Sequence, residues 1–274
     1  MHVMQTGYEG TGQSFSFFYS QIASTVASKG YTIVSIDVPY DVDVVEYTDG
    51  YVALFNQTLW GTNDTEALAK TAYTVISTRA EDVSFILHSL SNTTLAHSLI
   101  PNLSDSGLDT THVPMFGRSL GGSTAFSIMG RDDGILGGLS LDDGLYGPVL
   151  PNGTTKPFMF LGHENHTREN INADPLLSWQ TQWPSLIGWK RYAMVTGSLH
   201  YDFSDYPILF GELGITPVGK VASNAILLGS LKGARAFEIV TEYVGAFLEF
   251  VVRGKTSDLL DGALQEFPEV LFEL

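Results

Sequence analysis

The segment with the clearest chemical potential is Gly117-Arg118-Ser119-Leu120-Gly121, which fits the nucleophile-elbow pattern G-x-S-x-G. Glycines two places either side of a serine let a strand turn sharply into a helix, which leaves the hydroxyl at the tip of the turn. The apolar stretch 112–116 before it, and Gly122, Ser123 and an Ala/Phe/Ile run after it, supply the strand and helix that such a turn joins. A serine hydroxyl is a weak nucleophile, so a base and an orienting acid must follow, here in the chain order Ser, acid, His. Downstream histidines are His163, His166 and His200. His200 follows the apolar stretch 191–196 and falls at the C-terminal end of an expected strand, where ligands and catalytic groups gather in open α/β sheets. It is the expected base. His163 and His166 lie in a polar stretch (GHENHTREN) and read as loop or surface histidines, while His2, His88, His97 and His112 precede the serine and read as structural.

Three carboxylates are placed to be the acid. Asp142 and Asp143 end the apolar stretch 135–141, and Glu164 follows the next one, 156–161. The residues alone leave all three open, since Asp142-Asp143-Gly144 also suits a turn and Glu164 a solvated loop. Acyl transfer further needs two backbone N–H groups aimed at the developing oxyanion. Leu120, directly after the serine, supplies one, and Tyr8 in the glycine-rich segment 7–12 is placed for the other. Such chemistry calls for no metal and no organic cofactor.

The elements that must position these groups follow from two alternating periods, the mark of an α/β domain. Short apolar or β-branched runs at 2–6, 31–37, 112–117, 135–141, 156–161 and 191–196 predict strands, the last taken as the final one. Residues 44–54 predict a hairpin turning at Asp49-Gly50. Helices are expected at 16–29, 64–89, 119–129 and 222–253; the last carries Leu227, Leu231, Phe237, Val240, Val244, Phe247 and Val251 and reads as a core-packed helix closed by Gly254. With no internal repeat and no linker composition, the 274 residues read as one domain.

Composition narrows the function classes. Apolar residues are 44% and charged residues 16%, with 28 glycines and 11 prolines scattered, which excludes collagen, a disordered tail and a coiled coil. Fourteen Lys and Arg against 30 Asp and Glu give a net charge of −16, a field that repels phosphate backbones and argues against nucleic-acid binding. The absence of cysteine removes disulfides, thiolate metal sites and a Cys nucleophile together. Six asparagines open an Asn-X-Ser/Thr sequon: Asn56, Asn63, Asn92, Asn102, Asn152 and Asn165. They imply a secreted protein or passage through a eukaryotic secretory route, with a cytoplasmic location as the alternative because the chain opens Met1-His2-Val3-Met4 without a basic, apolar leader. A processed or truncated N-terminus would reconcile the two. No apolar run reaches the length of a membrane span, so at most peripheral membrane contact is expected. Oligomeric state cannot be read from the sequence.

Several local signatures together resemble platelet-activating factor acetylhydrolases of the plasma/type II kind, and within them the fungal and bacterial branch. They are Ile36-Asp37-Val38-Pro39-Tyr40-Asp41, Val45-Glu46-Tyr47-Thr48-Asp49-Gly50, the elbow with Phe116 and Gly122, and Leu141-Asp142-Asp143-Gly144-Leu145-Tyr146-Gly147-Pro148. Trp183-Pro184 with Gly188-Trp189-Lys190, and His200 with Phe203-Ser204-Asp205, complete the set. The resemblance implies an α/β-hydrolase fold: a mostly parallel, doubly wound sheet with helices on both faces. It implies Ser119 as nucleophile, His200 as base, and Asp142 rather than Glu164 or Asp143 as acid, with Tyr8 at the oxyanion position. The implied activity is calcium-independent hydrolysis of short or oxidised sn-2 acyl esters of phospholipids. A broad carboxylesterase or cutinase-like polyesterase is the alternative, and a non-catalytic binding protein on the same fold the alternative from another class.

Three departures stand out. Arg118 occupies a place where His is usual, and pairing with a nearby acid is its expected role; Thr6 replaces the His or Pro before the oxyanion glycine. The chain also starts at the strand that is normally third, which leaves the stretch 31–37 at a sheet edge that the 44–54 hairpin could cover.

Overall fold

The structure, a computed structural model, describes residues 2–5, 16–61, 64–145, 152–167, 182–214 and 228–273. Among the described residues nine strands run in chain order: β1 His2–Gln5, β2 Ile33–Ile36, β3 Val44–Glu46, β4 Val52–Leu54, β5 Val113–Arg118, β6 Ile135–Leu141, β7 Phe158–His163, β8 Lys190–Val195 and β9 Val270–Glu273. The helices are α1 Ser20–Ser28, α2 Thr65–Ser91, α3 Thr93–Leu99, α4 Leu120–Met129, α5 Tyr206–Glu212 and α6 Gly233–Arg253, in our own numbering.

Seven strands form one sheet in the order β2-β1-β5-β6-β7-β8-β9, parallel throughout except for the β8–β9 pair. From β1 the chain goes first to β2 on one side and later to β5 on the other, so the order reverses between β1 and β5. Ligand sites in open α/β sheets lie outside the strand C-termini at such a reversal. The residues after β5 are Ser119 and Leu120.

Alternation along the strands sends side chains into two cores. On one face Tyr19, Ile22 and Val26 with Ile239, Tyr243, Val244 and Phe247 of α6 cover Phe116, Leu141, Leu161 and Val195. On the other, Ala80, Val83 and Leu87 of α2 and Phe126 and Ile128 of α4 cover Val113, Met115, Phe158 and Phe160. Helices on both faces of a mostly parallel sheet make this the α/β-hydrolase architecture expected from the sequence.

Two expectations about the framework need correction. The stretch 191–196 is not the last strand, because β9 adds an antiparallel edge beside β8. The last helix runs from Gly233, with residues 228–232 non-helical before it and 222–227 of the expected helix outside the described residues; Lys232 is extended, and a Cβ on Gly233 would sit 2.0 Å from the Pro207 carbonyl, so the helix begins where it touches the start of α5. The hairpin β3–β4 turns at Asp49-Gly50 as expected, with Gly50 at φ +85°, and forms a separate two-stranded sheet, while β2 stands at the sheet edge as expected. Helices α3 and α5 are too short to show a period in the sequence.

A buried ion pair ties α2 to the segment after β2. Arg79 Nε donates to Asp41 Oδ2 at 2.5 Å, and both residues are buried. Replacing Arg79 with Met leaves the carboxylate buried opposite an apolar chain. Chemical denaturation is expected to show a loss of about 3–5 kcal/mol, and a loss below about 1 kcal/mol would assign the pair no structural role.

Candidate active site

Ser119 stands where β5 stops and α4 starts. Its backbone takes φ +53° and ψ −134°, a left-handed conformation that a side-chain-bearing residue adopts at a cost of order 1–3 kcal/mol. The Ser119 N–H bonds the Leu141 carbonyl at 3.0 Å and its carbonyl accepts from Gly122 N–H at 2.7 Å, which pins the turn to the end of β6. Close approach of α4 to that strand requires Gly122: a Cβ there would lie 2.1 Å from Ser140 Oγ. Leu120 opens α4 and packs against Val75 and Ile76 of α2. As the first residue of the helix it has an N–H with no carbonyl a turn earlier to accept it. Gly7 and Tyr8, the other expected oxyanion contributor, lie outside the described residues.

The register of the sheet places the acid beside the nucleophile. Arg118 is opposite Leu141, so Ser119 and Asp142 leave neighbouring strands at the same level. Asp142 also has a positive φ, +56°, and its side chain is fully buried. Gly162 on β7 makes room for it, since a Cβ there would meet the Phe160 ring and come within 3.1 Å of Asp142 Oδ1.

Three imidazoles converge on this one carboxylate. His200 Nδ1 is 2.6 Å from Oδ2, His163 Nδ1 is 2.7 Å from Oδ1, and His166 Nδ1 is 2.9 Å from Oδ1. The His163 backbone N–H adds a further bond to Oδ1 at 2.7 Å. Burial pushes the Asp142 pKa up, but the hydrogen bonds from His163, His166 and His200 outweigh it and hold the carboxyl well below its ordinary range. An ionised carboxylate only accepts hydrogen bonds, so the His200 nitrogen facing it carries the proton. The Nε2 of a neutral His200 is then the nitrogen able to receive another.

The loop that carries His200 is anchored from several sides. Asp202 Oδ2 accepts from Leu199 N–H at 2.7 Å and Gly229 N–H at 2.6 Å. Asp205 accepts from Gln21 and Ile22 N–H, so it caps α1 from a distant part of the chain. Arg118 is buried, donates through Nε to Tyr19 Oη at 2.6 Å, reaches the His200 carbonyl at 3.4 Å and lies 4.8 Å from the centre of the Tyr201 ring. These contacts make it a support for the histidine loop from the nucleophile's own strand.

The other candidate acids have different surroundings. Asp143 is buried and accepts from Ser123 N–H at 3.2 Å and from the Ser123 hydroxyl, one turn into α4. Glu164 is exposed and accepts from Gly197 N–H at 2.9 Å. His163 and His166 are the residues of the candidate site that sequence reasoning missed: His163 ends β7 and His166 lies in the loop after it, and both are partly buried partners of Asp142 rather than surface groups. Their position directly after a strand, three residues apart, was the one available signal.

Burial raises the Asp143 pKa to about 6, against the lowering effect of the Ser123 hydrogen bonds. Between the ordinary value of 3.8 and about 6, the folded chain therefore holds a proton that the unfolded chain has released, and stability falls as pH rises through that window. Asp143→Asn keeps an acceptor for Ser123 and removes this titration. Urea midpoints of wild type and variant at pH 4 and pH 7 are expected to show a smaller fall in the variant; an equal fall would overturn the assignment.

Comparison with known proteins places this geometry among related ones. No family model matches the chain. A curated relative from Arthroderma benhamiae, described as a "probable 1-alkyl-2-acetylglycerophosphocholine esterase", is 28% identical over 271 residues. The match covers 95% of this chain, which spans 64% of the relative's length. Among solved structures, a ferulic acid esterase from Streptomyces cinnamoneus superposes with a TM-score of 0.78 at 26% identity, covering 99% of this chain and 72% of that one. Both bear out the resemblance read from the sequence signatures.

Proposed function

We propose that this relative of the platelet-activating factor acetylhydrolase-type esterases is itself a carboxylic ester hydrolase working through an acyl-enzyme. The observation that carries the reading is the strained Ser119 turn at the sheet's reversal point, level with a buried, ionised Asp142 that holds Nδ1 of His200. In this mechanism His200 Nε2 takes the Ser119 proton as the hydroxyl oxygen attacks the ester carbonyl. Asp142 stabilises the resulting imidazolium. The Leu120 N–H, together with Tyr8, receives the oxyanion, each donor being worth about 3 kcal/mol of barrier. The same imidazolium protonates the departing alcohol, and water then releases the acid by the reverse route.

The substrate class we favour is a phospholipid with a short or oxidised sn-2 acyl chain, which follows the printed activity of the curated relative. The ferulic acid esterase neighbour favours a second reading, a carboxylesterase of wider range. Rates on a short-chain phosphatidylcholine, p-nitrophenyl acetate and a feruloyl ester separate the two. A fluorophosphonate probe is expected to label Ser119, and failure to label the folded protein would leave only the non-catalytic binding role.

No helix among the described residues is long and apolar enough to cross a membrane, so contact with lipid is proposed as peripheral. Passage through a secretory route is also proposed, on the sequons. Asn92, Asn102, Asn152 and Asn165 are exposed and Asn56 is half-buried, while Asn63 lies outside the described residues. Expressed with a leader in a eukaryotic host, the chain is expected to lose several kilodaltons on endoglycosidase treatment. An unchanged mass would remove the secretory reading.

A further inference from the structure

We infer that His163, His166 and Asp142 form a binding site for a borderline divalent cation of the zinc type, and that occupying it switches the esterase off. The first support is the donor set. Two imidazoles and a carboxylate are the ligands zinc takes in open three-ligand sites, with a fourth position left to water. The three donor atoms lie within 4.8 Å of one another. Tetrahedral coordination at bond lengths of about 2.0–2.2 Å sets neighbouring ligand atoms roughly 3.3 Å apart. The Nδ1 to Oδ1 separations of 2.7 and 2.9 Å need to open by only about half an ångström to admit the ion.

The second support is the crowding on one oxygen. Asp142 Oδ1 takes three donors, His163 N–H, His163 Nδ1 and His166 Nδ1, although a carboxylate oxygen has two lone pairs. A cation on Oδ1 replaces two of those hydrogen bonds and leaves the third. The pair is also held for the purpose: His166 N–H bonds the His163 carbonyl at 2.9 Å, the rings lie 4.3 Å apart, and Tyr192 Oη bonds the His166 carbonyl. Each histidine side chain keeps some exposure, 15% and 24%, which gives an ion a way in.

Binding needs no net proton release from neutral histidines. Each imidazole moves its proton from Nδ1 to Nε2 through solvent and presents the Nδ1 lone pair to the ion. Asp142 Oδ2 stays within reach of His200, but the carboxylate's negative charge is now neutralised by the metal. The imidazolium that forms as Ser119 attacks then loses its stabilising partner. Inhibition is therefore expected to lower kcat with little change in KM, because the ion acts behind the histidine rather than in the substrate's path.

The inhibitory half rests on the esterase reading; the binding half does not. The experiment titrates the EDTA-treated full chain with Co²⁺ and follows the visible ligand-field bands, then competes the cobalt with Zn²⁺. Expected are a one-to-one stoichiometry, bands of tetrahedral intensity, and at least a hundredfold weaker binding in both His163→Gln and His166→Gln, each checked for an intact fold by circular dichroism. Should either variant unfold, the wild-type spectrum still decides: no saturable cobalt band, or one of octahedral intensity only, overturns the site. Saturating Zn²⁺ is expected to cut ester hydrolysis by at least a hundredfold and EDTA to restore it. Cobalt binding without any hydrolysis by the metal-free protein would sink the esterase reading and leave the metal site standing. Hydrolysis that persists in the fully zinc-loaded chain would sink the inhibitory role alone.

Discussion

Ser119→Ala is expected to lower kcat for a short-chain p-nitrophenyl ester by about a millionfold, to the level supplied by the oxyanion donors and binding alone. The size of the loss follows from the acyl-enzyme route. Without the hydroxyl there is no acceptor for the acyl group, and water would have to attack in its place without a positioned base. The fold should survive, because the strain in the turn is borne by the backbone at φ +53° and by the Gly122 N–H bond to the Ser119 carbonyl, neither of which involves Oγ. A thermal melt of the variant checks that point. Retention of more than a few per cent of wild-type activity, in material free of contaminating esterase, would remove Ser119 as the nucleophile.

Asp142→Asn is expected to lower kcat by about ten-thousandfold, with KM little changed. An amide in place of the carboxylate can turn its NH₂ toward His200 Nδ1, and the ring then presents its proton at Nε2, the nitrogen that must be free to act as base. The amide also carries no negative charge to stabilise the imidazolium. The comparison that discriminates is with the two other acids. Glu164→Gln keeps an acceptor for the exposed bond from Gly197 N–H, and Asp143→Asn retains one for Ser123; both are expected to stay within about tenfold of wild type. Full activity in Asp142→Asn together with loss in Glu164→Gln would reverse the assignment. The same substitution also bears on stability. Since the Asp142 pKa is held low in the fold, its contribution is present above the ordinary carboxylate range and fades as pH falls through the folded value, opposite in sign to that of Asp143.

The two carboxylates next to each other in sequence show how far local pattern reaches. Asp142 and Asp143 both follow the apolar strand β6, and nothing in residue type or spacing tells them apart. Only the family resemblance favoured Asp142. In the fold, the positive φ at Asp142 turns its side chain toward β7 and the His200 loop, while the next residue turns back toward Ser123 on α4. Chain direction over one residue separates an ionised hydrogen-bond acceptor for three histidines from a buried acid whose pKa is raised to about 6.

Arg118 is a second case. Read beside the nucleophile in sequence, its charge calls for an acid. Its contacts in the structure include the Tyr19 hydroxyl, the His200 carbonyl and the Tyr201 ring, groups drawn from residues 19, 200 and 201. Such a setting for a guanidinium is assembled across the whole chain and leaves no trace in the residues flanking it.

What the amino-acid sequence determined by itself was most of the longer elements and the turn at Ser119. Apolar period and glycine placement are local properties, and they dictate where a strand must end and a helix begin whatever lies around them. The end of β6 at Leu141, the hairpin at Asp49-Gly50 and the left-handed stop of α6 at Gly254 are of this kind. Tertiary structure alone decided the company kept at the sheet's C-terminal edge: that β9 closes the far side, and that His163 and His166 turn inward to share Asp142 with His200. Those contacts join residues 21, 24 and 58 positions apart in sequence, and their energy exists only once parallel strands bring separate loops to one level and exclude water from the carboxylate between them.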